Sequence, residues 1–265
     1  MPSGSVNPFK EALFDAFSLA AIVRMETLKI FKDPTEMLSR SLQPVLWLLI
    51  YGSAMNRTGF IPTGDLSYLA FLAPGIVAQS ITFVSIFNGL SIIWERDMGI
   101  LQRMMTTPVR RSVLVLGKML AGSVRSFSQL IVVLALATFM GIELIWSPGR
   151  VVGLVILTIL GSTFFSGLSM TIASIVRTRE RMMGIGQLVT MPLFFASNAL
   201  YPVSIMPAWL QALSRLNPLT YLVDGLRNLL LYRQPVGIAT DLAILVFSTL
   251  LVWSVCSVLY PRLLR

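Results

Sequence analysis

Six stretches of this chain are apolar over the roughly 20 residues that a helix rising about 1.5 Å per residue needs to cross about 30 Å of hydrocarbon. They run near Met37 to Met55, Leu66 to Ile93, Val113 to Ile142, Val151 to Val176, Met182 to Leu200 and Ile238 to Leu259. Pro44, Pro74 and Pro192 fall inside three of them, and Pro74 predicts a kink. Composition agrees. Of 265 residues, 55% are hydrophobic and 12% charged, with a mean hydropathy of +0.77. A soluble domain carries about 25% charged residues, and one water-soluble core of this size cannot hide so much apolar surface. The fold class that follows is all-α, a polytopic membrane protein with six transmembrane helices.

Two absences narrow the chemistry. There is no histidine, which excludes a histidine-based triad, metal ligand or proton relay within these residues. The single cysteine, Cys256, can form neither an intramolecular disulfide nor a cysteine metal cluster. The chain is basic, with a net charge of +9. Its distribution reads as the positive-inside bias of membrane loops, with no nucleic-acid partner. With a cytoplasmic N-terminus, 15 of the 21 Lys and Arg residues fall on the cytoplasmic side, five outside, and Arg125 in the third span. Six spans return the C-terminus, with Arg262 and Arg265, to the cytoplasm. The expected location is a plasma (inner) membrane with both termini inside.

The chain divides into an N-terminal segment, 1–34, and a six-span unit, 35–265. Pro8 to Lys32 reads as an amphipathic helix. Glu11, Asp15, Ser18, Glu26 and Lys29 share one side, and Phe9, Leu13, Phe17, Ala20, Val23 and Phe31 lie opposite. Ile22 and Arg24 blur both faces. Such a helix lies along the membrane surface or packs on a partner, and Asp33-Pro34 ends it. Between spans five and six, 201–237 is too long for a turn and too apolar for a solvated loop. It reads as a re-entrant hairpin of two short helices, Pro207 to Arg215 and one capped by Asn217. Its apolar faces, Leu210, Leu213, Leu219, Leu222 and Leu226, turn to lipid or cover an exit.

The stretch 94–111 is the most informative. Gly99 offers a bend, Ile100, Leu101, Met104 and Met105 form an apolar face on a short helix, and Thr107-Pro108 ends it. Flexible Met side chains suit a partner surface; a helix lying under lipid headgroups is the other reading. Glu95-Arg96, Gly99, Leu101, Arg103, Thr107-Pro108-Val109 and Gly117-Lys118 resemble the cytoplasmic signature of ABC type-2 permeases, the membrane subunits of ATP-binding-cassette exporters such as the daunorubicin-resistance and nodulation types. Leu72-Ala73-Pro74-Gly75-Ile76 is similar to the family's second-span motif. Ala196-Ser197-Asn198, Tyr201-Pro202, Met206-Pro207-Ala208-Trp209-Leu210, Leu216-Asn217-Pro218-Leu219-Thr220-Tyr221 and Asp224-Gly225-Leu226-Arg227 are similar to its C-terminal signature.

The resemblance implies a permease that is not itself an enzyme. The chain has no G-x-x-x-x-G-K-S/T loop, so ATP and Mg are expected on a separate ATPase subunit. Glu95 to Thr106 would be the coupling helix. Ile100, Leu101, Met104 and Met105 would fill a groove on the ATPase, while Glu95, Arg96, Asp97 and Arg103 would orient it through rim ion pairs. A second permease half, identical or different, is also implied, and spans two and five would line the path between the halves. That nominates Gln79, Phe83 and Asn88 with Gln187, Met191, Phe194 and Asn198 as path-lining residues. Amide, thioether and aromatic groups suit an amphiphilic cargo such as a drug, a lipid or a lipid-linked glycan. Arg111, Lys118 and Arg125 recur every seven residues. They read either as a basic stripe meeting anionic lipid or substrate, or as snorkelling side chains. The alternatives are an ATP-independent secondary carrier, which intramembrane ionisable groups other than Arg125 would be needed to support, and a lipid-modifying enzyme, which would need carboxylate clusters in the spans.

Overall fold

The computed structural model describes residues 8–32, 34–59, 61–64, 66–106, 109–176 and 178–264, and every regular element among them is helical. Helix α1 is Pro8–Lys32 and α2 is Pro34–Leu46. The latter runs through a π-helical stretch, Trp47–Gly52, into α3, Ser53–Thr58. There follow α4, Tyr68–Asp97, the short α5, Ile100–Met105, and α6, Arg111–Phe139. Helices α7, Pro148–Ile175, and α8, Arg179–Phe195, come next. The last are α9, Ala208–Leu216, α10, Pro218–Leu231, and α11, Ile238–Leu259.

Among the described residues, four helices are long and apolar enough to cross a membrane: α4, α6, α7 and α11 with the turn after it. The other two expected spans are helical but fall short. The 17 residues of α8 reach only about 26 Å. The run containing α2 is divided by its π-helical stretch, which follows Pro44.

Helix α4 is the axis of the bundle. In its most apolar stretch 89% of residues are buried, against 17% in α11, which leaves Phe247, Leu250, Leu251 and Val258 facing outward. Small side chains let its neighbours approach closely. The hydroxyls of Ser85, Ser126 and Ser162 meet where α4, α6 and α7 touch, with Ser162 3.0 Å from Ser85 and 2.9 Å from Ser126. The Gly89 amide donates to Ser169 at 3.0 Å, and the Ser169 hydroxyl donates onward to the Ile86 carbonyl. A Cβ at Gly75 would lie 2.8 Å from the Ala199 Cα, so only glycine admits that backbone.

The segment 201–237 divides sharply. Leu219, Leu222 and Leu226 are fully buried, which corrects the expectation that this face of α10 meets lipid. Helix α10 packs on α7: a Cβ at Gly161 would lie 2.6 Å from Leu222, and one at Gly225 2.9 Å from Leu157. Helix α9 is the reverse. Trp209, Leu213 and Leu216 are exposed, while Gln211 donates to the Met206 carbonyl at 2.9 Å and Ser214 meets Thr220 at 3.1 Å. Its polar side faces protein and its apolar side faces out.

Helix α1 packs on α6 through Ile22, whose side chain lies 3.0 Å from where a Gly117 Cβ would be. Phe14 and Phe17 are exposed, so the residue that blurred the two predicted faces is the one that docks. Asp15 lies 3.7 Å from Arg110. The side chains of Phe9, Glu11, Leu13, Glu26, Lys29 and Phe31, and residues Asp33, Thr107 and Pro108, lie outside the described ones.

Candidate functional site

The chain reverses between α4 and α5 at Gly99, whose φ of +70° a side chain would strain. Met98 and Gly99 amides donate back to Trp94 and Arg96 carbonyls, and the Thr106 hydroxyl closes the far end of α5 on the Arg103 carbonyl at 2.8 Å. This turn stands on a cluster drawn from α1, α4 to α8, α11 and the turn after it. Ile22, Ile92, Ile93, Leu101, Leu114, Met119, Met170, Met182 and Tyr260 are all buried in it.

Two of the expected contact residues therefore point inward. Leu101 is fully buried and fastens α5 to its own chain. Glu95 is 6% exposed and accepts the Lys118 ammonium with both oxygens at 2.7 Å. Neither faces a partner surface. Lys118, at 4% exposure, also leaves the proposed basic stripe: its charge is met by Glu95, while Arg111 stays exposed and Arg125 is half-buried. What the turn presents outward is apolar Trp94, Met98 and Ile100, 47%, 60% and 39% exposed, with Gln102 and Arg103 beside them. Met104 is half-buried, and the Met105 side chain lies outside the described ones.

A second charge cluster lies beside this face. Asp97 accepts from Arg96 at 2.9 and 3.1 Å and from Arg179 at 2.8 and 3.2 Å. The Arg179 guanidinium also lies 3.7 Å from the centre of the Trp94 ring. Arg179 is the first residue of α8, whose N-cap is the Thr178 hydroxyl. Sequence reasoning gave Arg179 only a loop charge, because 82 positions separate it from Asp97. The exposed Trp94 beside a charged turn was the available signal for a docking face.

The nominated path residues separate into three groups. Phe83 and Gln187 come together in a cleft of about 120 Å³ between α4 and α8, with Phe87, Leu90, Met183 and Thr190. Gln79 is buried nearby, where Arg40 and Gln43 of α2 approach α4. Asn88 instead donates to the Lys118 carbonyl at 3.1 Å and joins α4 to α6. Phe194 is buried against Trp47, 6.0 Å between ring centres, and Met191 is half-buried on α8. Asn198 donates to Asp224, and its own carbonyl accepts from Arg227 at 2.9 Å. Asn88, Phe194 and Asn198 thus hold helices together rather than face the cleft.

Asn198, Asn217, Asp224 and Arg227 form a clamp at the Ser67 end of the bundle. Arg227, 5% exposed, reaches the Phe71 carbonyl at 3.2 Å and lies 3.9 Å from the Phe71 ring centre. Asn217 caps α10 by accepting from the Leu219 amide at 3.0 Å and donates to the Leu193 carbonyl at 2.6 Å. Burial pushes the Tyr201 phenol above its ordinary pKa, so it stays a donor to the Phe195 carbonyl at 2.6 Å. Arg150 donates to the carbonyls of Leu229, Tyr232 and Arg233, a cation on the open end of α10.

The described residues of these motifs thus have their places in the fold, and comparison with known proteins identifies the pattern. Residues 18–231 match the family described as ABC-2 type transporter. The chain belongs to that family. The ycf38 protein of Cyanophora paradoxa is 32% identical over 231 residues, covering 86% of this chain and 77% of its own. The daunorubicin resistance ABC transporter permease protein DrrB1 of Streptomyces coeruleorubidus is 25% identical, over 74% of this chain and 69% of its own. The inner membrane transport permease YadH of Escherichia coli K12 is 23% identical, over 82% and 84%. This ABC-2 chain is a multi-pass membrane permease subunit, and the matched region holds no ATPase domain. Its family implies an ATPase subunit as partner.

Proposed function

We propose that this chain is the permease half of an exporter that moves an amphiphilic or hydrophobic substrate across the plasma membrane, driven by ATP hydrolysed with Mg on a separate subunit. One observation carries the reading: α5 and the turn before it offer Trp94, Met98 and Ile100 outward from a base fixed by Leu101 and by the Glu95–Lys118 pair. An exposed apolar face on a rigid base suits docking, since little order is lost on contact. In this reading the Asp97 end is cytoplasmic, both termini are inside, and α2–α3 and α8 complete six spans. The α1 helix lies at the inner headgroups and α9 at the outer ones. A second permease copy, or a different permease, faces the cleft holding Phe83 and Gln187. The likeness to DrrB1, a daunorubicin resistance permease, supports a drug-like cargo, and the aromatic, thioether and amide lining of the cleft supports the same class.

The test is purification from the native membrane followed by reconstitution. An ATPase chain is expected to accompany the permease, and Met98→Glu with Ile100→Glu is expected to release it while insertion and melting stay as in the parent. Full retention of the ATPase would move the contact elsewhere. Transport that survives loss of the ATPase's catalytic carboxylate would favour the ATP-independent carrier. Leu101→Glu is unsuited to this test, because it places a carboxylate in the chain's own apolar cluster.

A further inference from the structure

The Asp97–Arg179–Trp94 cluster has a form that stability does not explain. Arg179 and Asp97 side chains are 33% and 35% exposed, and ion pairs open to water at this level contribute about 1 kcal/mol or less. Yet the geometry is specific. Arg179 offers its Nε and Nη2 to one carboxylate oxygen of Asp97 while its flat face covers Trp94. A lysine could make neither arrangement, lacking the planar fork. Asp97 is also shared, since Arg96 binds its other oxygen. Arg96 thus keeps the Asp97 charge met if Arg179 lets go.

Position gives this cluster its meaning. Trp94 belongs to the exposed face proposed to meet the ATPase, and Arg179 begins α8. Helix α8 carries Met183 and Gln187 on one wall of the 120 Å³ cleft, and Phe83, Phe87 and Leu90 of α4 form the other. Here α4 is the buried axis, whereas much of α8, including Met183, Gln187 and Leu188, is exposed. A force applied at Trp94 therefore finds one helix that is held and one that can shift.

We propose that Arg179 is a positioning residue that links ATPase docking to α8. Contact at Trp94 alters the guanidinium stack, Arg179 lets go of Asp97, which stays with Arg96, and the base of α8 moves relative to α4, changing the width of the Phe83–Gln187 cleft. This rests on the coupling reading given above. The pair is cheap to open and re-form, as a part used in every cycle must be.

The test uses the assembled permease–ATPase complex in lipid vesicles, with Gln187→Cys as reporter and a membrane-impermeant maleimide as probe. Cys256 is buried, and complex without Gln187→Cys supplies its background. Labelling rate is compared without nucleotide and with ATP plus vanadate, scored per assembled complex. A several-fold nucleotide-dependent change is expected in the reporter chain. Arg179→Ala and Asp97→Asn, which cut the link from opposite ends, are each expected to bring that ratio to about one. Arg179→Lys should restore less than half of it, and Arg181→Ala, which removes a neighbouring exposed charge, should retain it. A ratio in Arg179→Ala equal to the parent's overturns the link alone. No nucleotide response in the parent complex overturns the coupling reading and the link with it. A merely structural Arg179 would lower melting temperature and yield but leave the ratio of surviving complexes intact, and that result also overturns the proposal.

Discussion

Two acid–base clusters sit within three residues of each other at the end of α4, and they are opposites. Glu95 and Lys118 meet out of water, at 6% and 4% exposure, with both carboxylate oxygens 2.7 Å from the ammonium. Asp97 and its two arginines meet at the surface. The first cannot open without stranding a charge in an apolar cluster. The second can lose one arginine and keep the other at little cost. One helix terminus thus carries a weld and a latch, and the sequence Glu95-Arg96-Asp97 holds both because successive residues on a helix point about 100° apart.

The comparison can be broken most forcefully at Lys118. Lys118→Ala is expected to lower stability by about 3–5 kcal/mol, because it leaves Glu95 buried and unpaired. Thermal unfolding in detergent measures this, and Glu95→Gln with Lys118→Met should recover most of the loss. A single variant that melts with the parent would show that the pair is hydrated. Arg227 extends the comparison to the opposite end of the bundle. Arg227→Met takes the donor from the Phe71 and Asn198 carbonyls, while Asp224 keeps Asn198, and is expected to cost about 1–3 kcal/mol, read as faster proteolysis of the loop at 196–207. Asp97→Asn should cost about 1 kcal/mol or less. Salt sharpens the contrast. At about 1 M ionic strength, where the Debye length is about 3 Å, the Asp97→Asn difference should vanish and the Lys118→Ala difference persist.

Much of this was legible in the sequence, and the limits have physical causes. Hydropathy located the long helices to within a few residues, since α4, α6, α7 and α11 need only be apolar for their length. The seven-residue recurrence of Arg111, Lys118 and Arg125 marked a face of α6, but Glu95, 23 positions away, was needed to show that Lys118 is neutralised. The face expected on α5 divides instead, with Leu101 buried and Ile100 exposed. Which of its residues look inward depends on α1, α6 and the turn at Tyr260, and no local pattern carries that. Leu219, Leu222 and Leu226 look the same on a lipid-facing helix as on a buried one; Gly161 and Gly225 decided between them by letting α7 and α10 close up.

Helix α9 has a practical consequence. Trp209, Leu213 and Leu216 form a greasy ridge on an element outside the long helices, and Gln211 and Ser214 are already spoken for on its other side. Stripped of amphiphile, that ridge adds an adhesive edge to the one α11 already presents through Phe247, Leu250, Leu251 and Val258, so a purified particle needs its detergent around α9 as well as around the long helices.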